Sequence, residues 1–215
     1  MREFPRAVVP LLLLLVQGGC AGVRAVRTLE PGATELALNG GGPFVVDYAS
    51  SYTGPGGVLN AHLRHGLKDG VDAYLGMDLG APAFGTVWVD GGVALRLLQE
   101  GVAAGLPYLL LQQGLHYATD LDGHVVLDEL VLTMSYRFGA FMPFFGWDHV
   151  VSLAPALDHL GIAFVGLRWD GRAFFLSHEL RWFGPWEDGG RPMMRYLSPG
   201  GAGVLGATLS IGVRL

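Results

Sequence analysis

The sequence predicts an all-β chain: a closed antiparallel up-and-down β-barrel of eight to ten strands, built to cross a membrane. Three observations carry this. Apolar residues make up 51% of the 215 residues and charged residues only 15%, whereas ordinary soluble domains carry about 25% charge. After Val16 no apolar run approaches the roughly 18 residues of a spanning helix. Alternation at period two is widespread instead, and only helices and closed barrels satisfy the backbone inside lipid. The same composition excludes bulk disorder. Glycine is abundant, 34 residues, but without the three-residue period of collagen.

The chain opens as an export address. Met1 to Arg6 carries Arg2 and Arg6 against Glu3, Ala7 to Val16 is apolar, and Gln17-Gly18-Gly19-Cys20 follows. A charged start, a short apolar stretch and small residues make a secretory signal peptide, placed over 1–19. Its apolar stretch of ten residues would rise about 15 Å as a helix, half the thickness of a hydrocarbon core. Cys20 is the only cysteine, which excludes an intrachain disulfide and a cysteine-rich metal site. Its position resembles the lipobox of bacterial lipoproteins, with Gly18 and Gly19 matching the small positions and Gln17 standing where that family usually has Leu. The resemblance implies diacylation of Cys20 and, with Ala21 after it, delivery to the outer membrane. Cleavage after Ala21 is the alternative. Residues 20–33 then read as a periplasmic tether and 34–215 as the barrel.

Ten candidate strands follow: 34–40, 57–66, 70–79, 85–97, 105–118, 124–138, 139–149, 161–169, 172–182 and 203–215. The last is the clearest, with Leu205, Ala207, Leu209, Ile211 and Val213 opposing Gly206, Thr208, Ser210, Gly212 and Arg214. Val71, Ala73, Leu75 and Met77 oppose Asp72, Tyr74, Gly76 and Asp78 in the same way. Lys68-Asp69-Gly70 and Asp170-Gly171 are hairpin turn signals. Segment 150–160 reads as either a short helical loop or a long connection, and 139–149 is the weakest strand, so eight stays open as a count. Connections after even strands are short, while 41–56, 150–160 and 183–202 are long. Outer-membrane barrels show this asymmetry, with brief periplasmic turns and longer outer loops. Tyr117, Trp147 and Trp182 are placed near outer ends, and Tyr136, Phe138, Phe141 and Trp169 near periplasmic ends, as two aromatic belts require.

With these residues assembled, the chain resembles small bacterial outer-membrane β-barrel proteins over 34–215. The resemblance implies outer-membrane lipid as surroundings and the barrel-assembly machinery as a partner. It departs from them at Leu215, where such proteins usually end in an aromatic residue.

If the apolar face meets lipid, the polar face lines the interior. Glu35, Asp72, Asp78, Asp90, Glu129 and Glu179 then oppose Arg64, Arg96, Arg137, Arg168, Arg181 and Arg214. Buried charges persist when paired, so a balanced set suggests an ion-pair network filling a narrow lumen. A selective pore would show one sign in excess. The expected function is therefore a structural scaffold or narrow pore, not an enzyme. Two alternatives stand beside it. A soluble exported lipocalin-like barrel would turn the apolar face inward around a greasy ligand. A lipid-modifying hydrolase would draw on Ser177-His178-Glu179; neighbouring strand residues point to opposite faces, so His62 or His116 on a neighbouring strand would have to complete the site. Of the histidines only His62 and His65 approach a ligand spacing, so no metal is expected. Gly40-Gly41-Gly42 is followed by Pro43 and no Lys, so no nucleotide cofactor is expected either. Scattered basic residues and a net charge of −5 argue against nucleic acid.

Overall fold

The computed structural model describes residues 24–43, 46–48, 52–54, 58–101, 105–119, 123–155, 157–185 and 202–215. The signal peptide expected over 1–19 and the expected lipidation site Cys20 lie outside these residues. Twelve strands are described: β1 (Thr34–Pro43), β2 (Val46–Tyr48), β3 (Tyr52–Gly54), β4 (Val58–Lys68), β5 (Val71–Asp78), β6 (Val87–Leu98), β7 (Tyr108–Thr119), β8 (His124–Ser135), β9 (Phe141–Ala154), β10 (Asp158–Asp170), β11 (Phe174–Phe183) and β12 (Val204–Arg214). Ten of them close into one antiparallel barrel. Each strand pairs with its sequence neighbour, and β1 completes the circle by pairing with β12 from Glu35↔Arg214 to Pro43↔Gly206 and with β4 from Thr34↔His65 to Gly41↔Val58. Strands β2 and β3 form a small separate hairpin in the β1–β4 connection. Closure leaves no unpaired edge among the barrel strands.

The alternation sets the two faces. In β11 the inward residues Phe175, Ser177, Glu179, Arg181 and Phe183 are buried, while Phe174, Leu176, His178 and Leu180 are exposed. Along β12, Leu205, Ile211 and Val213 face out while Gly206, Thr208, Ser210 and Gly212 face in. The outer wall is therefore apolar: Leu36, Leu38, Leu63, Leu75, Val165 and Leu180 are all exposed.

Segment 150–160 differs from the expectation. It is mostly strand, because β9 runs to Ala154 and β10 starts at Asp158, leaving three residues between them. Val150 and Ser152 are buried and Leu153 exposed, so period two continues to the end, as β-branched residues favour. This extension moves Trp147 to the middle of β9, opposite Leu132 and Ala163, and away from the outer belt. Conversely, β8 ends at Ser135, and a five-residue connection carrying the Phe138–Phe141 bridge replaces the expected direct join.

The glycine content has a packing cause. Inward aromatic rings lie across glycines on the paired strand: Tyr74 opposite Gly92, Phe144 opposite Gly166, Phe164 opposite Gly146 and Phe175 opposite Gly212. A Cβ at Gly212 would lie 2.2 Å from the Phe175 ring, and one at Gly146 only 1.9 Å from the Leu132 carbonyl oxygen. Rings thus cover bare backbone, the device that rescues glycine in sheets. Gly146→Ala is expected to destabilise the barrel by about 1–3 kcal/mol through overpacking. Urea unfolding in micelles would check it, and an unchanged midpoint would contradict the packing.

Candidate functional site

The barrel has two mouths. The lower one carries the start of β1, the end of β12 and the connections 69–70, 99–107, 136–140 and 171–173. From it, residues 24–33 run up into the lumen, with Arg24, Ala25 and Val26 at 8%, 1% and 1% exposure. The sequence reading places 20–33 outside the barrel as a tether, and the described part corrects it. The reason is complementarity: the wall offers carboxylates and amides to a segment that brings Arg24, Arg27 and free backbone N–H groups.

The seat is built from several strands. Arg24 Nε lies 2.8 Å from Glu179 Oε2 of β11, and its Nη2 lies 3.2 Å from Asp148 Oδ2 of β9. Its guanidinium carbon stands 3.6 Å from the centroid of the Phe164 ring of β10, a cation–π position strengthened by desolvation. The Ala25 N–H donates to Gln112 Oε1 at 3.1 Å, and Ser135 Oγ donates to the Val26 carbonyl at 3.4 Å. Tyr108 Oη accepts from the Thr28 N–H at 3.1 Å. The Leu29 N–H reaches both Asp72 oxygens at 3.0 Å. Arg64 then locks this end, donating to the Arg27 carbonyl at 2.6 Å while its Nε pairs with Asp72 at 3.1 Å.

Of the twelve charges assigned to the interior, Glu35, Arg64, Asp72, Asp78, Asp90, Glu129, Arg168, Glu179 and Arg181 are buried. Their partners are not arginines alone. Glu35 gathers Arg168 at 2.7 Å, Arg64 at 3.6 Å and Arg214 at 3.8 Å. Asp90 and Glu129 face imidazoles instead, His62 at 3.2 Å and His116 at 3.1 Å. Asp78 accepts from the Gly80 and Ala81 N–H groups at 2.6 and 2.9 Å, fixing the 3₁₀ turn Ala81–Phe84. Arg181 pairs with Glu179, two residues along its own strand. The other three stand at the lower rim. Arg96 pairs with Asp69 of the turn, and Arg214 is partly exposed. Arg137 lies beyond β8, half-exposed, which corrects its placement inside.

Sequence reasoning missed Arg24, Asp148 and Asp170, and it did not pair His62 with Asp90 or His116 with Glu129. Asp148 was findable, because it shares the inward phase of Met142, Phe144 and Val150. Asp170 likewise follows Arg168 by two, and it binds Arg168, Arg214 and Arg137. Nothing in the sequence marks Arg24 as a lumen residue. Ser177 faces inward and His178 outward, so Ser177-His178-Glu179 do not converge. His62 is buried, whereas His65 faces out and bonds Thr34 Oγ1 at 2.9 Å. Among the described residues no group of three metal-ligating side chains is present.

Below the seat, a cavity of about 550 Å³ opens at the lower mouth, lined among others by Arg27, Glu100, Tyr108, Arg137 and Asp170. Glu100 binds the Arg27 guanidinium, and its Oε1 accepts from the Arg137 N–H at 3.0 Å. Burial pushes this carboxyl up, but the hydrogen bonds and charges of Arg27 and Arg137 outweigh it and hold it below its ordinary value. A lowered folded-state pKa gives stability that is complete above the unfolded value and lost as pH falls through the folded one. The wild-type urea midpoint should therefore drop relative to Glu100→Gln below about pH 4.3, and parallel curves would contradict the Glu100 contacts with Arg27 and Arg137.

These features define a class: a closed ten-stranded antiparallel barrel with an apolar exterior and a charged lumen holding its own N-terminal segment. No protein-family model and no curated protein matches the chain. Among solved structures it is similar to one titled "Bacterial polysaccharide outer membrane secretin", at 10% identity, covering 89% of this chain and 100% of that one, with a TM-score of 0.39. Similarity at that level is a general likeness of shape.

Proposed function

We propose that this protein is an outer-membrane β-barrel whose lumen is closed at rest by residues 24–33, serving as a scaffold or a narrow pore and not as an enzyme. The observation that carries this is the inside-out distribution of side chains. Large apolar residues such as Leu75, Val165 and Leu205 are 65%, 55% and 59% exposed, while Glu35, Asp72 and Arg181 are at most 2% exposed. A soluble ligand-binding barrel requires the reverse, because a water-facing shell of Leu and Val over a charged interior forfeits the hydrophobic driving force. Strands of 8 to 14 residues match the roughly 9–11 that a tilted spanning strand needs. Delivery by a signal peptide over 1–19, assembly by the barrel-assembly machinery and acylation of Cys20 belong to the same proposal.

The test is reconstitution of the mature chain. A heat-modifiable monomer that inserts into lipid vesicles supports the reading, and a clear monomeric solution without detergent would overturn it. Cys20→Ser is expected to abolish acyl labelling in cells while the barrel still folds. Labelling unchanged in that variant would remove the lipid anchor.

A further inference from the structure

We propose that the middle of the lumen is a site for guanidinium-type organic cations, held here by Arg24, and that the lumen vacated by residues 24–29 is a cation-selective path. The inference rests on the membrane-barrel reading and extends it to a substrate class. Three observations lead to it.

The seat is a made-to-measure cation site. Asp148 at 0% exposure and Glu179 at 3% approach the guanidinium from two strands, and the face of Phe164 closes it from a third. Two carboxylates and an aromatic plane favour a flat, delocalised, weakly hydrated cation over a compact one.

The wall alone is not neutral. Among the described residues, the strands bury seven carboxylates (Glu35, Asp72, Asp78, Asp90, Glu129, Asp148 and Glu179). Against them stand three guanidiniums (Arg64, Arg168 and Arg181) and two imidazoles (His62 and His116). Acid exceeds base even with both imidazoles charged, so the balance read from the sequence was drawn partly from rim arginines. Arg24 supplies compensating charge from outside the wall. When it leaves, Glu179 keeps Arg181, but Asp148 loses the guanidinium at 3.2 Å, and weakening the pairing of a buried charge is costly. An acid-lined lumen admits cations in preference to anions.

The occupant is held by separable contacts. Residues 24–29 bind the wall through side chains of Gln112, Ser135, Tyr108 and Asp72, and among the described residues no backbone ladder ties them to a strand. A segment held this way can withdraw without breaking the barrel's own hydrogen bonds.

The experiment uses the full mature chain in planar bilayers. Wild type is compared with a detached variant, Arg24→Ala with Ala25→Pro and Leu29→Pro. It removes the guanidinium and two anchoring N–H groups without adding charge. The variant should conduct several-fold more than wild type, with a reversal potential on the cation side of a KCl gradient. Millimolar guanidinium should block that current, and adding Asp148→Asn should weaken the block several-fold. A variant that conducts no more than wild type, shows no charge preference, prefers chloride, or is blocked equally with Asp148→Asn would overturn the proposal. As a second measurement in micelles, Arg24→Ala alone should unfold at lower urea and be restored by low-millimolar guanidinium but not by the same added concentration of its neutral isostere urea. Equal effects of the two would also overturn it. If wild type fails to insert into bilayers at all, the membrane reading falls and this proposal with it. Insertion without cation preference removes only the latter.

Discussion

Glu35→Gln is expected to destabilise the barrel by about 3–5 kcal/mol, the range for breaking a buried ion pair from one side. Glu35 is 1% exposed and faces three guanidiniums, those of Arg64, Arg168 and Arg214. Gln keeps the shape and removes the charge, so three cations lose a shared anion. The loss should fall toward the lower end, because Arg64 keeps Asp72 and Arg168 keeps Asp170. Arg137→Gln is the control. Its partner distance of 3.4 Å and half-exposed side chain place it among surface pairs, worth less than about 1 kcal/mol. Urea unfolding in micelles, followed by the heat-modifiable band, measures both. A Glu35→Gln loss as small as the control's would mean that the lumen is well hydrated and its pairs are screened.

Leu209→Arg is expected to cost about 2–4 kcal/mol of membrane stability, as charge does on a lipid face at the midplane. Leu209 lies mid-strand in β12, on the outward phase, paired with His178 and Gly40. Val213→Arg sits on the same face near the rim, where the cost should fall to about 0–1 kcal/mol. Folding titrations into vesicles compare the two. Losses that do not depend on depth would contradict a bilayer around the barrel. The inward neighbour is not a harmless control. Ser210 Oγ lies 2.7 Å from Asn39 Oδ1 in a packed interior, so Ser210→Arg should also destabilise, by overpacking of about 1–3 kcal/mol. Alternation alone would make Ser210→Arg milder than Leu209→Arg, and the packed interior around Asn39 removes that difference.

Facing was legible at every strand with a clean period of two, because one residue of shift would exchange the entire apolar outer face for the lumen face. That is why Asp72, Asp90, Glu129, Glu179 and Arg181 were placed inward from sequence alone, and why β12 was drawn to within a residue. Strand ends were less legible. Val150 to Ala154 continued a strand through what reads locally as a connection, since pairing with β8 and β10 decides how far a strand extends. Partners were hardly legible at all. Glu129 meets His116 across one strand gap, whereas Arg24 meets Glu179 at a separation of 155 residues.

The sequence by itself determined the class of fold and, in strands with a clean period of two, which side chains turn inward, because both follow from periodicity and turn chemistry along the chain. Pairing around the ring settled the count at ten rather than eight. Only the tertiary structure decided what fills the interior. Closing ten strands into a ring brings β9, β10 and β11 around one axis and creates a space that no single strand encodes. The occupant of that space was chosen by charge complementarity across the ring, and so a segment that reads as a tether became the core of the lumen.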